Sequence, residues 1–239
     1  MQDHDIAPIN PLPPVVWLLV LPMIGIELVL SLAEAGMIGG RAAIGWRVAM
    51  LEGFGFFPDY WRQQAQAGAF DFELLRRFVS FAFVHQTTMS ALFGVVLTLA
   101  LGKFVAEVFA GWAVALVFVV SAVVGALVYG SLVQSQPLFG AYPGVAGLIG
   151  AFSFVLWKGL SRMGPQPQRA FSLIGGLMAI QVVFGLVFTL LPKLFPSMGP
   201  MPLGWDWIAE LSGFVCGFGL SFVVSPNGFA SLQARLRQR

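Results

Sequence analysis

Few residues in this chain could do chemistry. Glu27 and Glu210 fall inside long apolar runs, where an acid is costly to bury and by default signals function. Tyr142 and Ser153 place hydroxyls in another such run, and His85 lies in a third. A hydroxyl becomes a nucleophile only with a base in reach and donors at the oxyanion. Ser153 meets no histidine in the last apolar run, so it would lack its base. His4 and His85 are too few for an imidazole-rich metal centre, and the lone Cys216 allows neither a disulfide framework nor a thiolate site. No metal and no cofactor is expected. His85 reads more simply as a satisfied structural group, bonded to Glu73 or to loop backbone, than as a ligand. Glu27, near Pro22 and four residues after Met23, faces either the bundle or a partner helix. Proton or ion conduction, or a small transporter, would need more intramembrane polar groups than these.

The elements that position these residues follow from hydropathy. Of 239 residues 58% are apolar and 10% charged, with mean hydropathy +0.84. A soluble domain carries about 25% charged residues. The composition therefore excludes a soluble globular enzyme, a nucleic-acid binder and a disordered chain, and leaves a multi-span membrane protein. Apolar runs of the length that crosses a hydrocarbon core occur at Val15–Leu32, Phe78–Leu101, Val108–Leu132, Ala141–Leu160, Ala170–Leu191 and Trp207–Val224. They are continuously apolar, without the alternation of a barrel strand, so an all-α bundle of six transmembrane helices is expected.

The domain plan is one membrane domain, residues 15–224, between a tail at 1–14 and a basic tail at 225–239. The N-terminal stretch carries Asp3 and Asp5 but no basic residue, unlike a secretory signal. The segment Ala33–Arg77 holds Trp46, Phe54, Phe56, Phe57, Tyr60 and Trp61 among its charges, which predicts an amphipathic loop lying in the membrane interface. Tyr60-Trp61-Arg62 reads as ordinary interfacial belt. Lys103, Lys158, Arg162, Arg169, Arg235, Arg237 and Arg239 fall on one side of a six-span plan, against Lys193 in the opposite short loops. The positive-inside rule then puts both termini in the cytoplasm, in a bacterial inner membrane.

Two runs carry small residues at packing intervals. Gly140 and Gly144 open the fourth, with Gly147 and Gly150 following at three-residue steps, while Gly213 and Gly217 form a GxxxG pair in the sixth. Such faces let helix backbones approach closely where lipid offers no hydrophobic drive.

Together with the second run, this pattern resembles the rhomboid family of intramembrane serine proteases. That family has a six-helix core. A Trp-Arg pair precedes its second helix, which carries His, a second His five later and Asn nine later. Its fourth helix opens Gly-Ala-Ser-Gly-Ala-Val-x-Gly-Leu-x-Gly-Ala, and its sixth carries His followed by Gly at three and seven. Over about Leu75 to Leu220, the matching residues are Arg77, His85, Gly102, Glu107, Gly140, Ala141, Val145, Gly147, Leu148, Gly150, Ala151, Gly213 and Gly217. The departures fall at the chemistry. Tyr142 stands at the nucleophilic serine position and Glu210 at the general-base histidine. Ser90 and Gly94 replace the second histidine and the asparagine that help bind the oxyanion.

A phenol attacks peptides poorly, and a carboxyl in an apolar bundle tends to stay neutral. The resemblance therefore implies a catalytically inactive rhomboid-like protein. Glu210 reads either as a functional acid or as a strut bonded to Tyr142. Inactive rhomboid relatives such as iRhoms and derlins are binding or trafficking factors. The expected partners are transmembrane helices of other membrane proteins, and lipid, in a chaperone, adaptor or accessory-subunit role. No nucleic acid and no small-molecule substrate is implied. The alternative is an active intramembrane serine protease with an unrecognised dyad. The proline-rich stretch from Pro192 to Asp206, with the fifth helix, would correspond to the family's lateral gate.

Overall fold

The computed structural model describes residues 12–134, 136–163, 167–172 and 204–225, together with 174–176, 179–180, 183 and 194. Most of the expected fifth span and of both tails therefore lies outside the described residues, as does most of the stretch before Asp206.

The described residues are mostly helical, in the order α1 (Pro14–Glu34), α2 (Trp46–Phe54), α3 (Pro58–Ala67), α4 (Phe72–Ser80), α5 (Thr88–Ala106), α6 (Gly111–Leu132), α7 (Tyr142–Met163) and α8 (Asp206–Val224). Five of these, α1, α5, α6, α7 and α8, are long and apolar enough to cross a membrane. The fold is an all-α membrane bundle.

Two expectations need correction. The second span begins at Thr88, not Phe78. The apolar run from Phe78 is continuous in hydropathy, but its backbone is not one helix. α4 ends at Ser80, a 3-10 turn covers Phe81–Phe83, and Val84 is extended at φ −114° and ψ 128°. The Thr87 side chain then accepts a hydrogen bond from the Ser90 amide at 3.1 Å and starts α5. His85 thus lies in the break before the span and not on the helix.

The segment 33–77 is likewise not a plain interfacial loop but carries α2, α3 and the start of α4. Local signals set their ends: Pro58 in the first turn of α3, Gly68 left-handed at its C-terminus, and Asp71 capping α4 by accepting the Leu74 amide at 2.7 Å. Part of the aromatic load is buried inside the protein. Phe56 is fully buried, with its ring 5.0 Å from that of Phe78, and Trp61 packs edge-on to Phe78 at 5.2 Å. Gly130 on α6 makes room for both, since a side chain there would come within 2.8 Å of Phe56 and Trp61. Arg62 donates to the Val133 carbonyl at 3.2 Å. Tyr60-Trp61-Arg62 is therefore partly a clamp onto the end of α6. Phe70, Phe72 and Ile44 do remain exposed.

α7 is the most enclosed span, packed against α5, α6 and α8. Its glycines serve both neighbours. A side chain at Gly147 would strike Ser121 of α6, and one at Gly144 would press on Phe118 of α6 at 2.8 Å. A side chain at Gly150 would strike the Phe214 backbone of α8. In return, side chains at Gly213 and Gly217 would strike the backbone of Pro143 and of Gly147. The small-residue faces of α7 and α8 thus meet backbone to backbone.

Candidate functional site

The N-termini of α5, α7 and α8 and the C-terminus of α6 converge at one end of the bundle, beneath the segment 33–77. Phe56 and Leu138 tie that segment to the α6–α7 connection by reciprocal backbone bonds of 3.1 and 2.8 Å. A cavity of about 450 Å³ opens among these helix ends. Ser90 of α5, Tyr129 of α6, Tyr142 of α7, and Asp206 and Glu210 of α8 line it, with Gln136 from the connection.

The positions singled out from the sequence gather here. Tyr142 is the first residue of α7, following Gly140, whose φ of +91° suits only glycine without strain. The Tyr142 hydroxyl donates to the Ser90 carbonyl at 3.1 Å and lies 3.1 Å from the Ser90 hydroxyl. Its bonded partner is thus Ser90 of α5, where a strut to Glu210 was expected. Glu210, 7% exposed, shares the cavity with Tyr142 from the α8 side.

His85 bonds not Glu73 but loop backbone, in the connection before α7. Its Nε2 accepts the Ala141 amide at 3.3 Å, so the proton resides on Nδ1. The ring is 2% exposed, and burial pushes its pKa down to about 4, so it is neutral at neutral pH. Gly94 gives it space: a Cβ at Gly94 would stand 2.7 Å from Nε2. Ser90 and Gly94, which the resemblance puts at oxyanion positions, therefore have structural partners here, Ser90 with Tyr142 and Gly94 with His85. Ser153 is fully buried about three helical turns along α7. It is not among the residues lining the cavity, and its hydroxyl has no hydrogen-bond partner.

Arg77 holds the segment 33–77 in place. Its Nη1 donates to the carbonyls of Glu52 and Gly55 at 2.8 and 2.9 Å, and it pairs with Glu73 at 2.8 Å. The guanidinium also lies over the rings of Phe57 and Tyr60, at 5.5 and 5.6 Å. Arg76 instead pairs with Glu73 and covers Phe54 at 4.7 Å.

Glu27 faces inward, into a network that the sequence did not reveal. Arg47 of α2 donates to both of its carboxylate oxygens, at 2.8 and 3.0 Å, and to Glu34 at 2.6 and 3.0 Å. Ser31 and Thr88 add hydroxyl bonds to Glu27 at 2.9 and 2.7 Å. Arg47 further reaches the His85 carbonyl at 3.3 Å. The available signal was the spacing of Glu27, Ser31 and Glu34, which puts three polar residues on one helix face. Tyr129 and Asp206 were also missed. The four-residue step from Asp206 to Glu210, which stacks two acids on one face, was the clue.

Taken together, these features define a polytopic helical membrane protein with a polar cavity at one end of its bundle. A sequence model of the family described as Rhomboid domain matches residues 73–227, well over half of the chain. The chain belongs to the rhomboid family, whose members are usually serine proteases. No curated protein matches it.

Proposed function

We propose that this rhomboid-family protein has no peptidase activity and binds transmembrane segments of other membrane proteins, as a chaperone, an adaptor or an accessory subunit. The carrying observation is the Tyr142–Ser90 contact at 3.1 Å. It joins the residue at the family's nucleophile position to one at its oxyanion position, so the space in which a scissile carbonyl would be attacked is crossed by a hydrogen bond. A phenol held in that way is a poor nucleophile. His85 supports the same reading, because its Nε2 is occupied by the Ala141 amide. The retained close packing of α7 on α8 is what a helix-binding scaffold needs. The distribution of Lys and Arg supports an inner-membrane protein with both termini cytoplasmic.

The test is incubation of the purified full chain with model transmembrane substrates and a serine-directed fluorophosphonate, alongside native purification in mild detergent. Absence of cleavage and labelling, with membrane proteins co-purifying, is the expected result. Cleavage and labelling that disappear together in Ser90→Ala or Ser153→Ala would establish a protease with a displaced serine and overturn the proposal.

A further inference from the structure

Between α1 and α2 lies an apolar groove of about 490 Å³. Gly25, Ile26, Val29 and Leu30 of α1 form one wall, and Trp46, Ala49 and Met50 of α2 the other, with no charged side chain among them. The groove is open at Gly25, where an added side chain would meet nothing within 4 Å. Ile44 and Val48, on either side of Trp46 in the chain, are exposed. Exposed apolar side chains beside a membrane span mark a surface that meets hydrocarbon.

The depth of the groove suits one leaflet. Gly25 lies nine residues before Glu34, the last residue of α1, which is about 13 Å along the axis at 1.5 Å per residue. Half of a hydrocarbon core is about 15 Å. The groove therefore runs from near the middle of the bilayer toward the end of the span, the reach of one acyl chain. Its walls argue against a helix as occupant. Helices approach each other in lipid on small residues spaced four apart, whereas the residues four before and four after Gly25 are Leu21 and Val29. Flexible methylenes can follow a wall of Ile, Val, Leu and Met that a helix backbone cannot approach.

Charge selects the polar end of the occupant. Gly39 lies against the Trp46 ring, since a side chain there would come within 3.0 Å of it. The 3-10 turn Gly40–Ala43 follows at once and packs on α1, so the turn that carries Arg41 stands beside the Trp46 wall. Arg47 spends its charge on Glu27 and Glu34, whereas Arg41 is exposed and makes no ion pair among the described residues. A guanidinium suits the phosphate of a lipid headgroup, to which it can donate two parallel hydrogen bonds.

We infer that the groove between α1 and α2 holds one acyl chain of a phospholipid whose phosphate meets Arg41. The site is separate from the cavity at the helix ends, and the inference does not depend on the helix-binding function.

The test uses the purified full chain in a nonionic detergent, titrated with dioleoylphosphatidylglycerol and followed by native mass spectrometry. Dioleoylglycerol, with the same chains and no phosphate, is the control lipid. The first phosphatidylglycerol binds at least ten-fold more tightly than dioleoylglycerol. Arg41→Gln brings the two lipids to within two-fold of each other. Gly25→Leu weakens both at least five-fold, because its side chain occupies the groove. Leucine is a better helix former than glycine, so this variant keeps the Tm of the parent in detergent without lipid. Should it fail to fold, Arg41→Gln, at an exposed position, carries the test. Lys103→Gln leaves the first lipid's affinity unchanged, since the neighbouring Gly102 packs on Val16 at the opposite end of α1.

Equal affinity of the parent for the two lipids overturns the inference, and so does a phosphatidylglycerol preference that Arg41→Gln leaves intact. Unchanged lipid binding in a folded Gly25→Leu overturns it as well. If that variant also stops a membrane protein from co-purifying, the groove is a helix site, and helix binding stands while the lipid site falls.

Discussion

Glu27 and Glu210 look alike in the sequence, each an acid in an apolar run, yet the structure uses them differently. Glu27 is enclosed by donors: Nη1 and Nη2 of Arg47, the Ser31 hydroxyl and the Thr88 hydroxyl. Its charge is spent within the protein, joining α1, α2 and the start of α5. Glu210 lines a cavity with a second acid one turn away and two phenols opposite. The difference teaches that an intramembrane acid is not one kind of signal. A guanidinium within reach makes Glu27 a structural fastener, whereas Glu210 is placed on the wall of a cavity.

Removing the fastener is the strongest way to break this comparison. Arg47→Ala leaves Glu27 and Glu34 without their cation, and losing one partner of a largely buried pair costs about 3 kcal/mol. A lowered Tm in detergent is expected, with most of the loss recovered in Arg47→Ala/Glu27→Gln. If Glu210→Gln lowers Tm as much as Arg47→Ala does, the contrast between the two acids fails.

The cavity side depends on α8 staying against α7. Gly217→Leu forces a side chain onto the Gly147 backbone, which cannot yield as a flexible side chain would. A loss of about 2–3 kcal/mol is expected from overpacking. A variant that melts like the parent would mean the two helices do not meet there.

His85 stands between the two regions, with its carbonyl on Arg47 and its ring on Ala141. The unfolded chain takes up a proton below about pH 6.5, while the buried ring resists protonation down to about 4. Stability therefore falls as pH drops through that window and is flat above it, by about 2 kcal/mol at pH 5. Melting curves at pH 7 and pH 5 should show the drop in the parent and a smaller one in His85→Asn. An equal drop in both would place the titration elsewhere.

The smallest effect sharpens the geometry of Tyr142. A double-mutant cycle of Tyr142→Phe with Ser90→Ala should give a coupling of about 1 kcal/mol, the worth of a part-buried hydrogen bond. The cycle of Tyr142→Phe with Glu210→Leu should give less. Reversal of that order would restore the strut between Tyr142 and Glu210.

Much of the fold was legible because hydropathy is a local property. α1, α6, α7 and α8 start and end within a few residues of the apolar runs that predict them. The second span was misjudged for the same reason in reverse. Phe78 to Phe83 is apolar enough to belong to a span, but the Thr87 cap and the extended Val84 break the helix, and averaged hydropathy does not register a cap. The helices α2, α3 and α4 were missed because pieces of nine or ten residues are marginal by themselves and are stabilised by packing.

The composition alone determined that the chain belongs in a membrane, and the glycine spacings alone determined which faces of α7 and α8 can approach closely. Only the tertiary structure decided which polar groups meet. The Arg47–Glu27 pair joins residues 20 apart, the Tyr142–Ser90 contact residues 52 apart and the His85–Ala141 bond residues 56 apart. In an apolar interior a polar group can meet a partner only where helix packing puts one. That choice depends on the register of whole helices against one another, which no local window of sequence contains.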